Sequence, residues 1–226
     1  MKRSHVRSEP AILYCGTPVV LISTINEDGT FNIAPMSSAF WLGWRCMLGL
    51  EMSSKTTQNM IRTGECVLNL PSVEEADAID RLARLTGAYP VPASKEARGY
   101  THEHNKFDIA GLTAVASDTI TPARANECPI QLEAVVVAQH GITEDQEAWQ
   151  GALTVFEVRI QRVHVDPTIL KSGNSNRIDP DKWRPVIMNF QKLYGLAPAE
   201  VRHSKLSEID EAMYLSPDVE MARTVM

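Results

Sequence analysis

Two stretches late in the chain alternate with period two, and that alternation narrows the folds open to it. Ile130, Leu132, Ala134, Val136 and Ala138 alternate with residues that include Gln131, Glu133 and Gln139. From Leu153 to Val165, Phe156, Val158 and Ile160 face one way while Glu157, Arg159 and Gln161 face the other. Successive side chains of a strand point to opposite faces, so both segments are expected as half-buried strands. The polar loop from Gly141 to Gly151 would join them as neighbours. An earlier stretch asks for the same architecture. Val19 to Ile25 is rich in β-branched residues, Asn26-Glu27-Asp28-Gly29 supplies turn chemistry, and Phe31-Asn32-Ile33-Ala34 resumes an extended pattern. The expected fold class is mainly β with helices, built on antiparallel strands.

With 226 residues, 44% of them hydrophobic, the chain can bury one sizeable core, and no Gly/Ser/Pro linker divides it. A single domain over 1–226 is expected. The net charge of −6, with basic residues scattered, argues against a nucleic-acid binder, which needs clustered Lys and Arg to neutralise phosphates. Cys15, Cys46, Cys66 and Cys128 lie far apart and form no Cys-x-x-Cys pair, which favours reduced thiols over a disulfide framework or a zinc site. Residues 1–10 are polar and are expected as a loose arm without a signal core, and no apolar run approaches the length of a membrane span. The expectation is a soluble, cytoplasmic protein with no membrane partner.

Between the early hairpin and the helix that follows lies the stretch with the most chemistry. In Ala34-Pro35-Met36-Ser37-Ser38-Ala39, proline removes a backbone donor and small side chains leave the main chain uncovered, so a flat ligand can approach it. Met47 to Leu50 reads as a strand. Ser53-Ser54-Lys55-Thr56-Thr57-Gln58-Asn59 then opens a helix, with Ser54 or Thr56 as N-cap and Gly64 at the C-terminal left-handed position. A helix start bearing hydroxyls and a lysine offers free N–H groups and positive charge, which favour a phosphate. An ordinary capped surface helix is the competing reading of the same residues.

The remaining segments read mostly as structure. Phe40, Trp41, Leu42 and Trp44 form an aromatic cluster that could serve as core, ligand wall or subunit contact, and a subunit interface is favoured. Ser72-Val73-Glu74-Glu75 is a capping box ahead of a helix with Ala76, Ile79, Leu82 and Ala83 on its apolar face, ending before Gly87. The pattern dissolves from Ala88 to Asp108, a length typical of an active-site cover, with Tyr100 or His102 as walls. His102 and His104 alone do not supply the three or four ligands of a zinc site, so no metal is expected. Gly111 to Val115 reads as a short strand. Pro185 to Gly195 reads as a helix with a terminal glycine, and Ser207 to Tyr214 as a last short helix.

The Pro18-Val19-Val20-Leu21-Ile22-Ser23-Thr24 strand, the Asn-Glu-Asp-Gly turn, Asn32-Ile33-Ala34-Pro35-Met36-Ser37, the Ser53 to Asn59 helix start and Thr63-Gly64-Glu65-Cys66-Val67-Leu68-Asn69-Leu70 carry a resemblance, with Phe107 to Thr113 as a weaker match. In that order and spacing they resemble the flavin reductase-like family of FMN-binding split barrels, which includes the reductase components of two-component monooxygenases and flavoredoxin-like proteins. The resemblance spans roughly residues 11–165 and implies an antiparallel β-barrel over that stretch, with residues 166–226 as a C-terminal extension. It implies a homodimeric flavoprotein oxidoreductase with FMN at or near the subunit interface, FAD as a further flavin substrate, and NAD(P)H as reductant. By the same resemblance Asn32 and Ala34 would belong to the cofactor site, and Pro35, Met36, Ser37 and Ser38 would line the ring and ribityl chain. Ser53, Ser54, Lys55, Thr56, Thr57 and Asn59 would hold the phosphate. No catalytic side chain is expected, because the flavin itself accepts the hydride.

The implied activity is an NAD(P)H-dependent flavin reductase that supplies reduced flavin or electrons to a monooxygenase or another acceptor. The chain departs from the family at one place. Many members carry Gly-Asp-His between the two late strands, where the histidine is associated with nicotinamide placement, and Ala138-Gln139-His140-Gly141 stands here. That departure keeps open an FMN-binding electron carrier or sensor that a protein partner reduces. A cofactor-free structural dimer is the third reading.

Overall fold

The computed structural model describes residues 3–225. The expectation of a loose arm includes residues 1 and 2, which lie outside the described residues; residues 3–10 are exposed and carry no regular structure.

Seven strands form one antiparallel sheet. In chain order they are β1 (Val20–Ile25), β2 (Phe31–Met36), β3 (Ala39–Leu42), β4 (Arg45–Glu51), β5 (Glu65–Leu70), β6 (Ile130–Ile142) and β7 (Leu153–Val165). Their spatial order is β2-β1-β5-β6-β7-β4-β3. The expectation of a barrel needs correction, because the sheet does not close on itself. Its edge strands β2 and β3 are consecutive in the chain and share no ladder. They form one bent segment, hinged at Ser37-Ser38, whose first half pairs with β1 and whose second half pairs with β4. A segment that runs on past a bend cannot pair with itself, so the corner is joined by covalent chain and the gap stays open. At that corner the Ser38 carbonyl accepts from the Gly49 N–H at 2.8 Å.

The sheet is covered on both faces, and this explains why Val19 to Ile22 is buried throughout. Val20 and Ile22 join Leu48, Leu68, Phe156 and Val158 in one core. Val19 and Leu21 join a second core with Ile79 and Leu82 of helix α2 (Ala76–Leu82) and Phe107 of helix α3 (Lys106–Ala110). β6 therefore does not present a wet face where alternation predicts one: Gln131 and Glu133 are buried beneath residues 116–125. The capping box ahead of α2 is present, with the Ser72 N–H donating to Glu75 Oε2 at 2.7 Å, and Asp77, Asp80, Arg81 and Arg84 face water.

Beyond Val165 two expectations are overturned. Residues 185–195 form no helix but a hairpin, β8 (Val186–Asn189) with β9 (Lys192–Gly195), in which β8 also pairs with Thr17–Pro18. Val186 and Ile187 are β-branched, and the chain reverses at Phe190 and Gln191, both with positive φ (46° and 66°). Val186 is buried in the second core. Residues 207–214 are not an α-helix either; they lie in 3₁₀ turns at Lys205–Glu208 and Glu211–Tyr214. The helix sits later, as α4 (Pro217–Arg223), with proline in its first turn. Arg45 clamps it through two bonds to Asp218 at 2.9 and 3.0 Å and also meets Glu157 at 2.6 Å. Among the described residues no helix is long and apolar enough to cross a membrane.

Candidate functional site

Helix α1 (Lys55–Thr63) begins where β4 ends. Ser54 is its N-cap, accepting from the Thr57 N–H at 3.1 Å, and Gly64 closes it in the left-handed conformation at φ 71°. Such a cap contributes about 1 kcal/mol and satisfies one of the orphan N–H groups, leaving those at Lys55 and Thr56 without an intrahelical acceptor. This helix tip and the bend at Ser37-Ser38 meet across one cleft of about 530 Å³.

Asn32, Ala34, Pro35, Met36, Ser37 and Ser38 lie along one wall of the cleft. Ser54, Lys55 and Thr56 lie at the helix tip. The other residues expected at the site stand apart from the lining. Thr57 is fully buried, with its Oγ1 donating to the Glu51 carbonyl at 2.8 Å and lying 2.7 Å from Ser54 Oγ. Asn59 is also buried, and its Nδ2 donates to Thr24 Oγ1 and Asn26 Oδ1 at 3.0 and 2.9 Å, tying α1 to the first hairpin. Ser53 is partly exposed and does not line the cleft. Lys55 contributes its stem to the wall while its Nζ lies 2.6 Å from Glu27 Oε2.

Sequence reasoning missed the most unusual group in the cleft. Lys106, at the start of α3, is 2% exposed, and its Nζ donates to Asn32 Oδ1 at 3.1 Å. Burial pulls its pKa down to about 7, the nearby Lys95 charge adds to that, and Glu103 opposes it. Asn32 is held in turn by its Nδ2, which donates to Thr56 Oγ1 at 3.1 Å and Thr24 Oγ1 at 3.3 Å. A chain of polar contacts thus links the helix tip to a buried ammonium. Gly87 makes room for it, since a Cβ there would lie 2.7 Å from Asn32 Oδ1 and 3.1 Å from Lys55 Cγ. Lys95 and Arg98 line the same cleft, so four basic residues face it against one carboxylate, Glu51. Val19, Ile79, Leu82 and Met188 supply apolar wall between them.

Of the expected cover residues, Tyr100 lines the cleft. His102 does not; its ring stands 5.2 Å from that of Tyr89 and its Nδ1 is 3.2 Å from the Ala88 carbonyl. His104 Nε2 lies 3.5 Å from Asp28 Oδ2. His140 is exposed on β6, near a hairpin end whose Ile142 and Leu153 reach the cleft.

A separate polar cluster joins Asp118, Glu133 and His164, none of which lines the cleft. Glu133 is fully buried: Oε1 takes the Asp118 N–H at 2.8 Å and lies 2.7 Å from His164 Nε2, and Oε2 takes the Thr119 N–H and hydroxyl at 2.7 and 2.6 Å. Burial pushes its carboxyl up, and the bonds from His164, Thr119 and Asp118 outweigh that and hold it at about 2. With its oxygens so engaged, Glu133 acts as a clamp for residues 117–119.

The cleft fits a flat ligand bearing a phosphate. It has small side chains along one wall, open N–H groups and a lysine at a helix tip, and a buried cation beside an amide. Residues 13–186 match the model of the flavin reductase like domain. The chain belongs to the flavin reductase-like family. It is 37% identical over 188 residues to the uncharacterized protein YdfE of Bacillus subtilis (strain 168), covering 83% of this chain and 87% of that one. Among solved structures it resembles the flavoredoxin of Desulfovibrio vulgaris (Miyazaki F), with a TM-score of 0.69 at 21% identity over 92% of this chain and 98% of that one. Nitrilotriacetate monooxygenase component B from Bacillus cereus gives a TM-score of 0.67 at 17% identity, over 87% and 98%. At such identities the two structures bear on the fold of this family member and not on its substrate.

Proposed function

We propose that the protein binds FMN in this cleft and acts as an NAD(P)H-dependent flavin reductase that supplies reduced flavin or electrons to a partner. The observation that supports the reading is the buried Lys106 amine, held by Asn32 of the cleft wall and within the same cleft as the tip of α1. Burial makes the charged form of Lys106 costly in the ligand-free protein, and an anionic ligand beside it would offset that cost.

Ser54, Lys55 and Thr56 would hold the phosphate through N–H groups, hydroxyls and charge. Met36, Ser37 and Ser38 would flank the ring, and Ala34 and Pro35 would leave the backbone open to it. Thr57 and Asn59 would act one layer behind, by holding the helix tip in place. Bound there, the flavin supplies a hydride acceptor and a store for two electrons. Lys106 would stand as a donor and a positive charge towards a reduced, anionic ring, which favours reduction electrostatically. The monooxygenase component among the similar structures supports a monooxygenase as acceptor, and the exposed Phe40 and Leu42 support a homodimer. A cytoplasmic location is part of the same reading.

Anaerobic titration of the FMN-loaded protein with NADH and with NADPH, followed by a free-flavin titration, tests this. Bleaching of the flavin absorbance by either nucleotide is expected. A flavin that stays oxidised with both would return the protein to the carrier or sensor reading. A chain that takes up no flavin would end both.

A further inference from the structure

Positive charge in the cleft has two centres. One is the tip of α1 with Lys55 and, through Asn32, Lys106. The other is carried by the one-turn helix Ala93–Glu96 and the turn after it, where Lys95 Nζ and Arg98 Cζ lie 5.8 and 5.7 Å from the Tyr100 ring centroid. The Arg98 guanidinium is held in place: Nε donates to the Ser94 carbonyl at 2.9 Å, and Nη2 to both Glu51 oxygens at 3.0 and 3.1 Å. Among the described residues its Nη1 has no acceptor and no carboxylate pairs with Lys95. Burial pulls Lys95 below the usual lysine range despite Glu51, and its charge helps to depress Lys106. With the α1 tip read as the site of one phosphate, this second pair of cations is left without an assigned anion.

We propose that Lys95 and Arg98 form a second anion subsite of the cleft, which takes the pyrophosphate of an adenine dinucleotide. The inference rests on the reading of the α1 tip as the site of the flavin phosphate. Two cations set side by side over one aromatic ring suit two adjacent phosphate charges better than one. Arg98 offers a fixed planar donor and Lys95 a mobile point charge, a combination that accommodates phosphates differing in orientation. Glu51 aims the guanidinium without neutralising the pair, since one carboxylate faces two cations. Pyrophosphate linked to adenosine occurs both in a nicotinamide dinucleotide bound over FMN and in FAD bound in place of FMN. Both sources share the chemistry that the subsite recognises.

The test compares the wild type with a Lys95→Gln/Arg98→Gln double variant, whose unchanged melting temperature and circular dichroism establish that it folds. Calorimetric titration of the FMN-loaded proteins with ADP-ribose, and of the flavin-free proteins with FMN, FAD and inorganic pyrophosphate, gives the affinities. The variant is expected to lose about tenfold or more for ADP-ribose or for FAD, as removal of charge-assisted bonds implies, while its FMN affinity stays within about threefold. A loss confined to ADP-ribose assigns the subsite to the nicotinamide dinucleotide, and a loss confined to FAD assigns it to the flavin. Equal weakening of FMN and FAD would overturn the inference by placing Lys95 and Arg98 at the FMN phosphate. Unchanged affinity for both ADP-ribose and FAD would overturn it as well. Inorganic pyrophosphate reads the subsite without flavin: binding by the wild type that the variant loses supports it even if FMN fails to bind and the parent reading falls.

Discussion

At the scale of single residues, two lysines of the cleft differ in what they cost the fold. Lys55 is tied at its tip to the exposed Glu27, and surface pairs of that kind contribute between about 0 and 1 kcal/mol. Lys55→Ala should therefore leave the melting temperature nearly unchanged while weakening FMN by about tenfold, in line with the loss of one charge-assisted phosphate contact. An unaltered dissociation constant in a fluorescence titration would remove Lys55 from the phosphate site. Lys106 is the opposite case. Its folded pKa is about 7 and its ordinary value 10.5, so between those values the unfolded chain holds a proton that the folded chain lacks. Stability of the flavin-free protein should accordingly rise with pH through that window and level off below it, with each pH unit worth about 1.4 kcal/mol at most. Lys106→Met should flatten the rise, stabilise the flavin-free protein near neutral pH and weaken flavin binding. Melts of both proteins from pH 6.5 to 9.5 that run parallel would contradict this. No sequence signal marked Lys106, because it sits in a polar run and its partner is 74 residues away.

Elements were legible where one physical rule decided them. The cap at Ser54, the left-handed Gly64 and the presence of strands β6 and β7 all follow from local chemistry. The β8–β9 hairpin was not legible, because its turn uses Phe190 and Gln191 where positive φ is commonly marked by glycine or asparagine. A hairpin with that turn gives no punctuation, and Gly195 then imitates a helix stop. Burial of Gln131 and Glu133 escaped for another reason: the segment that covers them is irregular, and its N–H groups and hydroxyl are satisfied by the Glu133 carboxylate itself. Packing between elements also sets a testable limit at Gly87, where the connection after α2 crosses the start of α1. A methyl group there would press on Asn32 Oδ1, and Asn32 has no room to yield without giving up Thr24, Thr56 or Lys106. Gly87→Ala should cost about 1–3 kcal/mol, as overpacking does, and lower flavin affinity along with stability. Chemical denaturation showing no loss would mean that the wall is softer than its contacts imply.

For the whole molecule, the open corner of the sheet matters most. A closed barrel has no edges, whereas this sheet ends at β2 and β3, and strand edges that stay exposed are sites where chains associate. β3 is apolar on both faces: Trp41 leans on the core, while Phe40 and Leu42 are 55% and 75% exposed on the other side. Apolar strand surface of this kind is commonly covered by a partner, and a second copy of the chain is the occupant expected from the homodimer reading. The same bent segment carries Ser37 and Ser38 at the cleft wall, so the edge and the site are one piece of chain. Covering the edge should therefore rigidify the wall. Phe40→Asp with Leu42→Asp removes apolar surface without touching either core and should yield a folded monomer. We expect that monomer to release FMN faster than the wild type, because the segment flanking the ring loses its support. Light scattering coupled to size-exclusion chromatography reports the first outcome, and flavin fluorescence recovery on dilution reports the second. A wild type that runs as a monomer at micromolar concentration would dismiss the dimer. A monomeric variant that keeps its flavin as tightly as the wild type would separate the edge from the site and leave the cleft complete within one chain.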